Sequence, residues 1–281
     1  MTAACEGEVP KGRGDVCVLS RACRVMPVAV LVFCISSWLP GCHSLRQELT
    51  EAALRTSWDE SRLLADLRYL EAPSSAAGSE LDPVVTYAAA QMYGLQPALA
   101  GSPVVPYTAQ PDPDGPWQDG YNVMAYAAGS HPDCVSELII VGADLDEAPF
   151  RQGLAALMEV ARNYGLNAHR GFTPDRTIMV AGFSGHDSGY AGLRAYLRRP
   201  LWPVGSTQAL VYLSPQDPAS LTRALGDAGV PLHMVLPREA GTTATLKDMV
   251  ADATRIAIEA DSLLQALATR EQGAANPVCT R

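Results

Sequence analysis

Four side chains in two short segments carry the donor types that hydrolytic chemistry uses. Asp144 and Asp146 close the run Leu138-Ile139-Ile140-Val141-Gly142-Ala143-Asp144-Leu145-Asp146. His186 and Asp187 lie in the polar, glycine-rich end of a second run, Thr177 to Gly192. Carboxylate oxygens and an imidazole nitrogen can ligate a single cation, zinc where the nitrogen takes part and calcium or magnesium where only oxygens do. Without a metal the same groups can move protons to and from a water. A third use, as hydrated loop carboxylates that cap helix starts, needs no ligand at all. Three carboxylates on two loops do not choose among these.

A serine nucleophile is the other chemistry to weigh. Gly182-Phe183-Ser184-Gly185-His186 falls where an apolar run ends, but the nucleophile elbow G-x-S-x-G needs glycine two residues after the serine, and His186 stands there. The remaining histidines read as bystanders: His43 near the amino end, His131 in a turn, His169 in a polar loop, and His233 as a core residue of an apolar strand. Arg194, Arg198 and Arg199 form a basic run near a helix end, where the helix dipole favours cations. Trp117, Tyr121, Tyr190 and Trp202 can line a pocket or simply pack.

The elements that must position these groups follow from periodicity. Leu63, Leu64, Leu67 and Leu70 fall on one face of a helix over Glu60 to Leu70, with Ser57 or Asp59 as its cap. A second helix covers Val84 to Tyr93 and stops at Gly94. Val104 to Tyr107 reads as a strand, Gln110 to Gly120 as a surface loop, and Asn122 to Ala127 and Leu138 to Val141 as further strands. Gly153 to Tyr164 is helical, Thr177 to Phe183 a strand, and Gly189 to Arg198 a helix. Ala209 to Leu213, Pro218 to Asp227, Pro231 to Leu236 and Leu246 to Ala268 then read as strand, helix, strand and long helix. Such alternation implies a three-layer α/β/α sandwich around a mostly parallel sheet.

These segments, in this order, resemble the M28 family of zinc aminopeptidases. Its GAHYD and FGAEExGLLG segments are matched by Gly142 to Asp146 and by Phe183 to Gly192. YAAAQMYGLQP (Tyr87 to Pro97) is similar to its entry region, and Asn122-Val123-Met124-Ala125 to its NVIA strand. GLAALMEVAR (Gly153 to Arg162) is similar to its GVAALLELAR helix, and Gly229 to Met234 to its GIPA strand. The likeness runs from about residue 52 to 268. It implies an aminopeptidase-like α/β sandwich with two zinc ions at the carboxyl ends of the strands.

The residues at the matched positions depart from that chemistry. Asp144 stands where the first ligand is histidine, although the partner aspartate of that motif is present as Asp146. Pro149 stands where the bridging carboxylate belongs, and proline has no ligating group. His186 takes the place of the general base, Asp187 that of a neighbouring ligand, and Ser214 that of a fourth. No histidine lies near Ala240 or Gly241, where the last ligand is expected. The resemblance therefore implies a degenerate site without a cofactor, and a binding or interaction module that holds a peptide or protein in the former cleft. The alternative is a divergent metal-dependent peptidase or amidase, with Asp146 and His186 as catalytic groups and Asp144 and Asp187 as zinc ligands.

Length and composition bound the rest. The 281 residues are 48% apolar and carry a net charge of −9. That suits one α/β domain and argues against sequence-blind nucleic-acid binding, which needs a basic face. Arg21 and Arg24 flank the apolar run Val25 to Leu39, which is short for a bilayer span but fits a signal-peptide core. It ends in Leu39-Pro40-Gly41-Cys42, which resembles a lipobox with Cys42 as the lipidated residue. The expected organisation is a signal over 1–42, a tether over 43–57, the peptidase-like domain over 58–270 and a tail over 271–281. The protein is then exported and lipid-anchored to the cell envelope; an uncleaved anchor is the other reading. Of seven cysteines only Cys134 and Cys279 remain beyond Cys42, and an oxidising compartment would let them pair.

Overall fold

Side-chain alternation along the strands sorts the molecule into its layers. The computed structural model describes residues 58–71, 82–109, 118–146, 151–215, 217–237 and 245–268. All of these fall within one compact unit, Ala52–Arg281. Helices α1 (Glu60–Glu71) and α2 (Pro83–Gln91) lead into strands β1 (Gln96–Pro97), β2 (Val104–Ala109), β3 (Gln118–Ala127) and β4 (Leu138–Asp144). Then come α3 (Gln152–His169), β5 (Thr177–Phe183), α4 (Ala191–Arg198), β6 (Thr207–Leu213), α5 (Pro218–Leu225), β7 (Leu232–Val235) and α6 (Leu246–Ala268). The sheet order is β1-β3-β5-β4-β6-β7, with β2 also paired to β3. Strands β5, β4, β6 and β7 run parallel, while β1, β2 and β3 add an antiparallel edge.

Ile139, Val141, Ala143, Ile178, Val180, Val211 and Leu213 face one side, under α1, α2, α3 and α6. Their neighbours Leu138, Ile140, Met179, Ala181, Phe183, Leu210 and Tyr212 face the other, under α4 and α5. Period-2 alternation with both faces apolar is what a strand buried on both sides must show. The result is the α/β/α sandwich expected from the sequence.

Several bounds differ from the periodicity reading, each for a tertiary reason. β1 has two residues and no pattern of its own; it exists because Gln96 and Pro97 pair with Tyr126 and Ala125. β3 starts at Gln118, inside the expected loop, because β2 pairs with it from Val104↔Val123 to Ala109↔Gln118. α3 continues past Tyr164, which makes His169 its last residue rather than part of a loop. Gly165 there is no terminator but a close approach: a Cβ would stand 2.9 Å from the Tyr93 carbonyl oxygen. His233, expected in the core, is only half-buried, because β7 is the edge strand of the sheet.

A buried polar cluster pins the two leading helices to α3. Arg162 makes a two-pronged contact with Asp66, 2.7 Å to each oxygen, and a 3.0 Å contact with Glu159. Glu159 also accepts from Arg62 at 2.7 Å. Asp59 caps α1 through its contact with the Ser61 backbone N–H at 2.9 Å. Cys134 is disulfide-bonded. Cys279, like the signal, Cys42, the tether, Trp117, Pro149, Ala240, Gly241 and the tail, lies outside the described residues. Among the described residues no helix is long and apolar enough to cross a membrane.

Candidate functional site

The two motif loops meet because their strands are neighbours. β4 and β5 pair in register from Leu138↔Thr177 to Asp144↔Phe183, so residues 144–146 and 184–187 emerge side by side at the carboxyl edge. That is where open α/β sheets place their ligands. Gly182 has no side chain because a Cβ would stand 2.6 Å from Leu145, the residue between the two aspartates.

Asp146, His186 and Asp187 form one chain of close polar contacts. Asp146 Oδ2 accepts from the His186 backbone N–H at 2.7 Å and lies 3.0 Å from His186 Nδ1. His186 Nε2 lies 2.8 Å from Asp187 Oδ1. The imidazole is only 8% exposed and Asp187 is 89% exposed, so the chain runs from the floor of the loops to solvent. The Nδ1 contact with Asp146 is a donated hydrogen bond in the tautomer that carries its proton on Nδ1. Such a pair can hold and move a proton, with Asp146 orienting the ring.

Asp144 does not join this chain. Its Oδ1 accepts a 2.6 Å hydrogen bond from Tyr212 on the adjacent strand β6, and Asp144 is itself buried. This corrects the expectation of a hydrated loop carboxylate, and of four groups converging on one point. Burial pushes the Tyr212 hydroxyl well above its ordinary range, and the nearby Asp144 charge adds to it. The phenol thus stays protonated and donates. Gly142 makes room for this arrangement, since a Cβ there would crowd Phe183 at 3.0 Å and Tyr212 at 3.3 Å.

Ser184 is engaged elsewhere. Its hydroxyl pairs with the Tyr107 hydroxyl at 2.9 Å, and its N–H donates to Asn122 Oδ1 at 3.3 Å. Asn122, fully buried, also donates to the Gly192 carbonyl at 3.0 Å, and so ties the loop before α4 to β3. No triad with His186 forms. Tyr190 is not a pocket residue: it is buried against Tyr212, ring centroids 5.9 Å apart, and exchanges hydrogen bonds with the Asp217 backbone at 3.2 and 3.3 Å.

Ser214, at the matched position of a lost ligand, is buried just past β6, and its hydroxyl has no hydrogen-bond partner among the described residues. It and Tyr190 have positive φ, 51° and 59°. Such strain costs on the order of 1–3 kcal/mol per residue and gathers at functional loops. Both residues sit beside the carboxyl edge. Gly153 at the start of α3 lets that helix touch Leu213 and Ser214, where a Cβ would stand 2.5 Å from the Leu213 carbonyl oxygen.

Sequence reasoning found the motif residues and missed Tyr212, Tyr107 and Asn122. A tyrosine at the end of an otherwise aliphatic strand, Ala209 to Leu213, was the available signal for Tyr212. Tyr107 and Asn122 act across β2 and β3 and leave no mark in local spacing.

No family model matches the chain, and no curated protein does. Solved structures do. A leucine aminopeptidase precursor from Bacteroides thetaiotaomicron VPI-5482 matches 72% of this chain and 97% of its own, with 11% identity and a TM-score of 0.50. The glutaminyl cyclase of Porphyromonas gingivalis matches 75% and 98%, also with 11% identity and a TM-score of 0.50. The chain has an aminopeptidase-like fold. It spans about half (48%) of the aminopeptidase from Aneurinibacillus sp. strain AM-1, which covers 54% of this chain with 14% identity and a TM-score of 0.40.

The aminopeptidase-like fold raises the question of zinc, and the donors among the described residues do not fit it. Catalytic zinc takes three protein ligands and a water. Among the described residues no group of three His, Cys, Asp or Glu side chains could hold a metal ion. Asp144 is committed to Tyr212, and both ring nitrogens of His186 are committed to carboxylates.

Proposed function

We propose that this chain is an exported, lipid-anchored binding module built on an aminopeptidase-like fold, holding a peptide or protein in the former substrate cleft without cleaving it. The observation that carries the reading is the Tyr212–Asp144 hydrogen bond. Recruiting Oδ1 of Asp144 to a metal would strip the fully buried phenol of its acceptor, at a cost of about 1–3 kcal/mol. The bridging position supports it too, because Pro149 offers no donor. The Asp146–His186–Asp187 chain and the two strained residues beside it support a cleft that still recognises polar groups. The apolar run ending at Cys42 supports the envelope address.

The test is metal content and turnover on the purified chain, titrated with zinc and offered aminoacyl-anilide substrates. The reading expects no stoichiometric zinc and no metal-dependent hydrolysis. Stoichiometric zinc that disappears in an Asp144→Ala/Asp187→Ala double variant, with turnover that requires His186, would replace it with the divergent hydrolase.

A further inference from the structure

The antiparallel edge of the sheet carries a concavity whose floor meets the carboxyl-edge loop at Ser184. It is a groove of about 600 Å³ between the β2–β3 hairpin and the second half of α4, running to Leu201. Ligand sites of small molecules fall in this size range. Register and alternation fix its floor: Val105 pairs with Asn122 and Tyr107 with Gly120, so Val105, Tyr107, Asn122 and Met124 turn to the same face as α4. Gly120 is required there because the Tyr107 ring lies where its Cβ would be.

Two of the three charged residues that line this groove are arginines. Asp119 belongs to the lining, but its carboxylate accepts from Thr108 at 2.7 Å, a pair that alternation turns to the opposite face from Tyr107. Arg198, in the last turn of α4, and Arg199, its C-cap, both line the groove and are exposed. Among the described residues neither makes an ion pair or a side-chain hydrogen bond. They stand out on a chain whose net charge is −9. The wall between them and the floor is Tyr196, 5% exposed, whose hydroxyl has no hydrogen-bond partner among the described residues. A buried hydroxyl without a partner is costly, and a ligand oxygen would recover that cost.

We infer that this groove binds a small organic oxyanion, a carboxylate or phosphate head carried on an apolar body. The two guanidiniums take the head, because paired planar donors match the oxygens of either group. Tyr196 donates one further hydrogen bond at the buried end. Burial pushes its phenol up to about 12, so it stays protonated and donates at neutral pH. Val105, Met124 and Leu201 receive the apolar body. The site uses none of Asp144, Asp146, His186 or Asp187, so it stands independently of the fate of the cleft.

Calorimetric titration of the full chain with phenyl phosphate, benzoate and neutral benzyl alcohol tests it. At least one anion is expected to bind about tenfold or more tightly than the alcohol, since a charged hydrogen bond is worth about 1.5–3 kcal/mol. The tighter of the two anions then assigns the head group. An Arg198→Gln/Arg199→Gln double variant, which changes only exposed side chains, is expected to weaken that anion about tenfold. Tyr196→Phe is expected to weaken it severalfold. The proposal is overturned if neither anion binds more tightly than benzyl alcohol, or if the double variant, folded by circular dichroism, keeps the anion's affinity within twofold.

Discussion

Tyr212 and Asp144 form the pair on which the cleft depends. The hydroxyl and the carboxylate are both buried, and the contact is 2.6 Å. Tyr212→Phe keeps the ring packing against Tyr190 and Phe183 but leaves Asp144 Oδ1 without this donor. We expect a loss of about 1–3 kcal/mol, read as a lower urea midpoint at constant slope. Asp261 on α6 behaves in the opposite way. Burial pushes its carboxyl up to about 6, against hydrogen bonds from Tyr164 at 3.3 Å and Gln265 at 2.8 Å. A carboxyl whose folded value exceeds its unfolded one binds more protons when folded. Its contribution is therefore greatest at low pH and is lost as pH rises from about 4 through 6. Two units correspond to about 3 kcal/mol. Asp261→Asn is thus expected to be more stable than the parent at pH 7.5, by up to about 3 kcal/mol. At pH 4 that advantage should vanish, and urea unfolding at the two pH values measures the difference.

At the scale of elements, close approach outweighs propensity. Gly192 lies in the first turn of α4, where alanine is the better helix former by about 1 kcal/mol. Yet a Cβ at Gly192 would collide with Asn122 Oδ1 and stand 2.7 Å from the Ser184 carbonyl oxygen. Gly192→Ala should therefore destabilise by about 1–3 kcal/mol, and the sign of the shift in thermal midpoint separates packing from propensity. The junction of α1, α2 and α3 rests on Arg162. Asp66 and Glu159 are both almost wholly buried beside it. Arg162→Met removes the cation from two buried carboxylates and should cost about 3–5 kcal/mol, because an uncompensated buried charge is worse than no charge. Denaturant titration reads this directly, and Arg62→Met, at the partly exposed end of the same cluster, should cost less.

For the molecule as a whole, strand pairing brings the carboxyl ends of β5, β4 and β6 together. Two apolar faces of one sheet are covered by four helices on one side and two on the other. Among the described residues the carboxyl edge carries Asp–His, Tyr–Asp and Tyr–Ser contacts, and the proposed reading adds no metal to them. A ligand that binds only the folded state stabilises it by RT ln(1 + [L]/Kd), about 4 kcal/mol at a thousandfold excess over Kd. Neither chelator nor added zinc should therefore move the thermal midpoint. An upward shift with zinc that EDTA reverses would contradict the donor set described for the cleft.

The layers were already written in local residue order. Apolar runs such as Thr177–Phe183 and the period of Leu246–Ala268 appear in the structure with the same bounds, because burial on both faces of a sheet or one face of a helix is written in local residue order. Residue order also located the motif loops, since Asp146, His186 and Asp187 do meet. The state of each group, by contrast, was set by contacts across the fold. Asp144 turned from the loop to a phenol 68 residues away. Ser184 found Tyr107 rather than His186, and β1 arose from pairing alone. Arg198 and Arg199 became one wall of a groove because the β2–β3 hairpin lies across from them. Hydrogen-bond partners and cavities come from groups far apart in the chain, and their geometry is set only once the strands pair and the helices dock.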